Sequence, residues 1–244
     1  MKTEKLSDTI TIINADCREW SGVADAVISD PPYGMDWTCN MTSAAKRKGC
    51  GGKDWGKKIH GDSLPFNPAP WLDFPSVVLW GVNHFGNRVP VGTTLVWIKR
   101  LDPAFGSFLS DAELAWMKGG CGVYCHRDLS MNAIAGNREH PCQKPVGLIT
   151  WCVDKARVAT GATVLDPYMG SGTTGIACIR TGRRFIGIEI DEQHYQTARQ
   201  RLLNELAQTN LFRQDKDARA GQGECPGTAC NSASPKAAQV TLDL

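Results

Sequence analysis

Two short stretches bring together residue types that can do chemistry. In "SDPPYG", Asp30, Pro31, Pro32 and Tyr33 follow the apolar run "AVI", and in "DPYMGSGTT", Asp166, Gly170, Ser171, Gly172 and Thr173 follow "TVL". Proline fixes φ and removes a backbone donor, and Pro31 also restricts Asp30. The first stretch is therefore a rigid corner that presents a carboxylate, a free backbone carbonyl and a ring. The second is a glycine-rich turn, whose backbone can approach a ligand closely, with a helix expected from near Thr173. About twenty residues on, the next strand ends at Glu189, an acid suited to the paired hydroxyls of a ribose. Turn, spacing and acid together describe a nucleoside site, against the plainer reading of a structural strand–turn–helix. No lysine follows Gly172, so the triphosphate-binding signature G-x-x-x-x-G-K-[ST] is missing.

Positioning these corners requires strands, and the chain supplies them. "TITII" (9–13), "AVIS" (26–29), "VVLWG" (77–81), "TLVWI" (94–98), "ELAWM" (113–117), "TVLD" (163–166) and "FIGIEI" (185–190) are rich in Val, Ile, Leu and aromatics, as strands are. Helical periodicity follows "QKP", where Leu148, Ile149, Cys152, Val153 and Ala156 share a face. It recurs in "DEQHYQTARQRLLNEL", with Asp191 as N-cap and Tyr195, Ala198, Leu202 and Leu206 on one side. Strands alternating with helices predict an α/β sheet that is mostly parallel.

The 244 residues suffice for one sizeable domain with insertions, expected over 1–212. The net charge of +2 is uninformative as a total, but residues 34–62 concentrate Lys46, Arg47, Lys48, Lys53, Lys57 and Lys58 against few acids. Residues 213–244 have almost no large apolar side chain and are expected to be a disordered tail. No apolar run approaches the ~20 residues of a membrane span, and the polar start lacks a signal peptide's apolar core, so a cytoplasmic protein is expected. The ten cysteines lack the paired C-x-x-C spacing of zinc sites; "CGVYCH", with Cys121, Cys125 and His126, is the nearest approach, and no metal is expected.

The motifs resemble those of the S-adenosylmethionine-dependent amino-methyltransferases that modify DNA. "NADC" (14–17), "SDPPYG", "HPCQKP" (140–145) and "DPYMGSGTT" occur in an order similar to that of the circularly permuted beta class, over about residues 9–206. The resemblance implies a Rossmann-like, seven-stranded methyltransferase sheet with one antiparallel strand. It also implies S-adenosyl-L-methionine as cofactor and double-stranded DNA as partner. The strands ending at Ile13, Ser29, Asp166 and Glu189 should then lie side by side, with ligands outside their carboxyl ends.

Residue roles follow from the same resemblance. Asp16 accepts from the cofactor's adenine amine, with the Cys17 N–H beside it. Glu189 takes the ribose, and Gly170, Ser171, Gly172 and Thr173 line the methionine end with Asp166 behind them. Lys144 suits the methionine carboxylate, the alternative being a solvated lysine at a helix start. Asp30, counted with the cofactor-binding residues as well, and the Pro31 carbonyl accept the two N–H bonds of the target amine and direct its lone pair at the sulfonium methyl; Tyr33 stacks on the base, and Pro32 stiffens the corner. A duplex hides that amine, so the base must be flipped out. Strand binding falls to the basic segment and to Arg127 and Arg138 in a short recognition region at 118–139, through salt-sensitive phosphate contacts. Trp37 and Trp55 stack on bases or fill gaps, and Asn83 and His84 sit near the crevice in a core or capping role or a functional one.

Asp at the first position of "DPPY" favours adenine N6 as the target within this family. Cytosine N4 is the alternative, since cytosine offers an exocyclic amine to the same two acceptors; a more distant alternative is RNA adenine, and another class altogether is a catalytically silent DNA-binding regulator of the same fold. The pattern fits a solitary or phage-type modification enzyme, monomer or homodimer, with any restriction endonuclease on a separate chain.

Overall fold

The computed structural model describes residues 1–36, 61–106, 110–129 and 143–220, with backbone alone for 210–220. Two units divide the chain, Met1–Thr209 and Asn210–Leu244, and the first holds every strand and the site. Its strands are β1 Lys2–Lys5, β2 Ile10–Asn14, β3 Ala26–Ser29, β4 Ser76–Trp80, β5 Thr93–Ile98, β6 Ala112–Met117, β7 Val123–Arg127, β8 Thr163–Asp166 and β9 Arg184–Glu189. They form one sheet in the order β1-β2-β9-β8-β3-β4-β6-β5-β7.

The stretch β2-β9-β8-β3-β4 is parallel throughout, so the carboxyl ends of β2, β9, β8 and β3 share one edge, as the motif order requires. β6 runs antiparallel between β4 and β5. The expected seven strands are all present, but the sheet has nine and a second antiparallel member. The additions are its two edges. In β1, "KTEK", and in β7, "VYCHR", most side chains face solvent, so neither shows the buried apolar run or alternation that marks a strand. β7 falls inside the expected recognition region and pairs in parallel with β5.

The helices are α1 Val146–Lys155, α2 Thr173–Thr181 and α3 Glu192–Ala220. Alternation along the strands separates two cores. Ala26, Ile28, Ile10 and Ile12 join Leu148, Cys152, Ile176, Tyr195 and Leu202 of the helices. Val27, Ile13, Leu165 and Ile188 face the other way, onto Phe66, Trp71 and Phe85. Asp191 caps α3 as expected, its Oδ1 accepting from Gln193 N at 2.8 Å and His194 N at 3.1 Å. α3 continues to Ala220, past the start expected for the tail at 213. Among the described residues no helix is long and apolar enough to cross a membrane.

Candidate active site

The glycine turn is built around two buried acids. Asp166 closes β8 and its carboxylate accepts three hydrogen bonds: Ser29 Oγ donates to Oδ1 and Thr174 Oγ1 to Oδ2, both at 2.6 Å, and Tyr168 N donates to Oδ1 at 3.2 Å. One side chain thereby joins the end of β3, the turn and the first residues of α2. Burial pushes the Asp166 carboxyl up to about 6, against the pull of these donors. Gly172, at φ +79°, forms the N-cap of α2, and a Cβ there would lie 3.1 Å from Ala198 Cβ, so the turn packs directly on α3.

Glu189 ends β9 and spans the turn. Gly170 N donates to its Oε2 at 3.0 Å and Asp191 N to its Oε1 at 2.9 Å. Burial raises this carboxyl to about 7, opposed by the same two N–H groups. Each oxygen retains a second lone pair for a hydroxyl. Ser171 and Thr173 are buried beside it, and the Ser171 carbonyl accepts from Arg201. Asp16 caps the short turn Cys17–Glu19 by accepting from Arg18 N at 2.9 Å, and its carboxylate also pairs with the Arg18 guanidinium.

At the proline corner, Asp30 is held on both oxygens. The Tyr33 hydroxyl donates to Oδ1, and Lys144 Nζ donates to Oδ2 at 2.5 Å. Among the described residues the Pro31 carbonyl has no hydrogen-bond donor. Tyr33 stacks on His84 with ring centres 4.9 Å apart and planes 8° from parallel. Gly81, at φ +81°, makes room for that ring: a Cβ there would come within 2.0 Å of Tyr33 Cε1. Beyond the ring, Asp62 Oδ1 accepts from Gly34 N at 2.8 Å and Met35 N at 3.2 Å, and the Asp62 carbonyl accepts from Asp36 N at 2.7 Å.

Lys144 is not the solvated lysine of the alternative reading. Its side chain is 7% exposed, lies over the Trp80 ring and pairs with Glu113 at 3.0 Å as well as with Asp30. Burial opposes its charge, yet Asp30 and Glu113 hold its pKa well above the ordinary lysine value. Burial raises the Asp30 carboxyl, with Lys144 pulling the other way. Burial also works against the charge on Glu113, but Lys144 and Lys99 bring it down to about 2.

Both corners open into one cavity of about 2130 Å³, above the roughly 300–1,000 Å³ of single-ligand pockets. Asp16, Tyr168, Gly170 and Glu189 line it, as do Asp30, Tyr33, Glu113 and Lys144. The room suits two ligands side by side.

Lys46, Arg47, Lys48, Lys53, Lys57, Lys58, Arg138, Trp37 and Trp55 lie outside the described residues. Arg127, on β7, pairs with Asp102 at 2.6 Å and covers Phe105. Cys121 and Cys125 are exposed thiols, His126 stacks on Trp151, and among the described residues no metal-holding cluster exists. His84 is neither core nor cap but exposed against Tyr33. Glu113, Lys99, Asp62 and Gly81 are site residues that the sequence reading missed. For Glu113 the signal was present: an acid inside the apolar run "ELAWM".

Residues 115–200 match the N6/N4 methylase family model, described as "DNA methylase". YubD of Escherichia coli (strain K12) is 44% identical over 68 residues, 28% of this chain and 30% of that protein. Type II methyltransferase M2.DpnII of Streptococcus pneumoniae is 45% identical over 64 residues, 26% of this chain and 24% of its own length. The aligned regions thus span under a third of either relative. In structure, the chain is similar to M1.HpyAVI, solved as a complex with SAM, over 79% of this chain and 100% of that one, at a TM-score of 0.50 and 22% identity. The matched segment carries the end of β6, Lys144, the glycine turn and Glu189, while the proline corner precedes it. Residues 115–200 are thus similar to the N6/N4 DNA methylase family model, and the fold of the chain is Rossmann-like, similar to that of M1.HpyAVI.

Proposed function

We propose that this protein transfers a methyl group from S-adenosyl-L-methionine to the exocyclic N6 of an adenine flipped out of double-stranded DNA. The observation that carries the reading is the pairing of two corners on the neighbouring parallel strands β3 and β8, tied by Ser29 and Asp166 and opening into one cavity. The residues fit the cofactor. Glu189 keeps acceptor capacity for a ribose, and Gly170, Ser171 and Thr173 of the turn that leads into α2 line the same cavity. When bound, S-adenosylmethionine supplies the electrophilic methyl.

The chain's own contribution is alignment. An exocyclic amine is a weak nucleophile because its lone pair is delocalised into the ring. An acceptor on each N–H turns that lone pair out of the plane. Asp30 provides one acceptor and the Pro31 carbonyl the other, and both are fixed in advance by Pro31 and Pro32. The Tyr33 hydroxyl donates to Asp30, and its ring, stacked on His84, lines the cavity that would take the base. Asp30 need not be a strong base, since the proton can leave after transfer.

The test is incubation of the purified protein with S-adenosylmethionine and mixed-sequence duplex DNA, then nucleoside digestion and mass spectrometry. N6-methyldeoxyadenosine is the expected product, and Asp30→Ala should abolish it while cofactor binding persists. N4-methyldeoxycytidine would retain the corner mechanism and overturn the choice of base. No methylated nucleoside, with cofactor bound, would overturn the DNA-modifying reading.

A further inference from the structure

The acceptor Asp30 belongs to a chain of four alternating charges. Asp30 Oδ2 lies 2.5 Å from Lys144 Nζ, Lys144 Nζ lies 3.0 Å from Glu113 Oε2, and Glu113 Oε1 lies 2.8 Å from Lys99 Nζ. Each oxygen of Glu113 therefore takes a different lysine. Three members come from strand ends within the stretch β3-β4-β6-β5: Asp30 after β3, Glu113 on β6 opposite Trp97, and Lys99 just beyond β5. Lys144 arrives from the segment before α1 and lies over Trp80, so its ammonium has two anions beside it and a ring face below.

We propose that Glu113 is a positioning residue for methyl transfer, acting through Lys144 to keep the Asp30 carboxylate available as an acceptor. The proposal rests on the reading of Asp30 as the acceptor. A lysine has a flexible four-carbon stem and three donors. Paired with one carboxylate, a buried ammonium draws all of that carboxylate's charge to itself. Shared between two, it gives each a fraction of its donors, and Asp30 keeps lone pairs for the incoming amine. Lys99 completes the balance, so that the partly buried set of two acids and two lysines has no net charge and Glu113 is not an uncompensated anion. Without Glu113, Lys144 has Asp30 as its one remaining anionic partner among the described residues and competes with the substrate for it.

The experiment compares the full-length wild type with Glu113→Gln, Lys144→Met and the double variant, measuring kcat, cofactor Kd, melting temperature and the pH dependence of kcat. Glu113→Gln keeps the shape and should fold. We expect its kcat to fall about tenfold, with cofactor Kd and melting temperature close to wild type. In the Lys144→Met background the same substitution should have no further effect on kcat. The groups facing Asp30 are Tyr33, Lys144, Glu113 and, more distantly, Asp166. Removing the Glu113 charge from this set should move the acid limb of the kcat profile to lower pH, a change that a packing defect would not produce. An unchanged kcat in Glu113→Gln, a loss that persists in the Lys144→Met background, or an acid limb moved to higher pH would each overturn the proposal. Asp30→Ala separates this from the underlying reading: activity retained there would refute the acceptor role itself.

Discussion

Asp166→Ala should be among the most damaging single changes in this protein, and Asp166→Asn among the milder ones at the same site. The alanine variant strands two hydroxyls, on Ser29 and Thr174, that are 2% and 4% exposed, together with the Tyr168 amide. A buried polar group left without a partner costs about 1–3 kcal/mol. The three together therefore cost about 3–9 kcal/mol, a large share of the roughly 5–15 kcal/mol that stabilises a domain. Asparagine keeps one acceptor oxygen, and either hydroxyl can rotate to accept from its amide, so the loss falls to about 1 kcal/mol. Titration gives a second signature. Burial raises the folded pKa from 3.8 to about 6, so between these values the folded state holds a proton that the unfolded chain has released. Stability from this group is complete below the unfolded value and declines as pH rises toward 6, by up to about 3 kcal/mol. The asparagine variant should lack that slope. Urea denaturation of the three proteins at several pH values between about 4 and 8 measures both effects. An alanine variant as stable as the asparagine one, or a slope retained in Asp166→Asn, would refute the reasoning.

Two more outcomes follow from the site's geometry. Gly81→Ala places a methyl 2.0 Å from the Tyr33 ring at a φ of +81°, so the ring must move off His84. We expect kcat to drop on the order of a hundredfold with cofactor affinity retained, as steady-state kinetics and equilibrium titration would record. Glu189, raised to about 7 by burial, is largely protonated below that pH and accepts a ribose hydroxyl better above it. Cofactor affinity should therefore strengthen about tenfold between roughly pH 6 and 8, and Glu189→Gln should flatten the profile in titration calorimetry.

The legible parts of this protein were those written in local pattern. β3 and β8 are continuous apolar runs because both of their faces are buried, and each ends in an acid beside a proline, which marks where the strand must stop. The cap at Asp191 and the apolar stripe of α3 were likewise visible from spacing alone. Edges were not. β1 and β7 face solvent and gain their hydrogen bonds from β2 and β5, partners that no local window contains. The charge chain was hidden for a related reason. Lys144, Glu113 and Lys99 are far apart in sequence and meet because β6 inserts antiparallel between β4 and β5. Family resemblance directed Lys144 at a cofactor carboxylate; the folded chain shows two carboxylates of its own already beside it.

The bond between Asp36 N and the Asp62 carbonyl has a meaning for how such a protein can change over time. It brings together the two ends of the segment between those residues, directly behind the anchoring contacts to Gly34 and Met35. Doubling the length of a closed segment adds only about 0.6 kcal/mol of closure entropy. Changes of length between the two ends are therefore cheap at this joint. It works as a socket beside the proline corner, one that can close on stretches of different length.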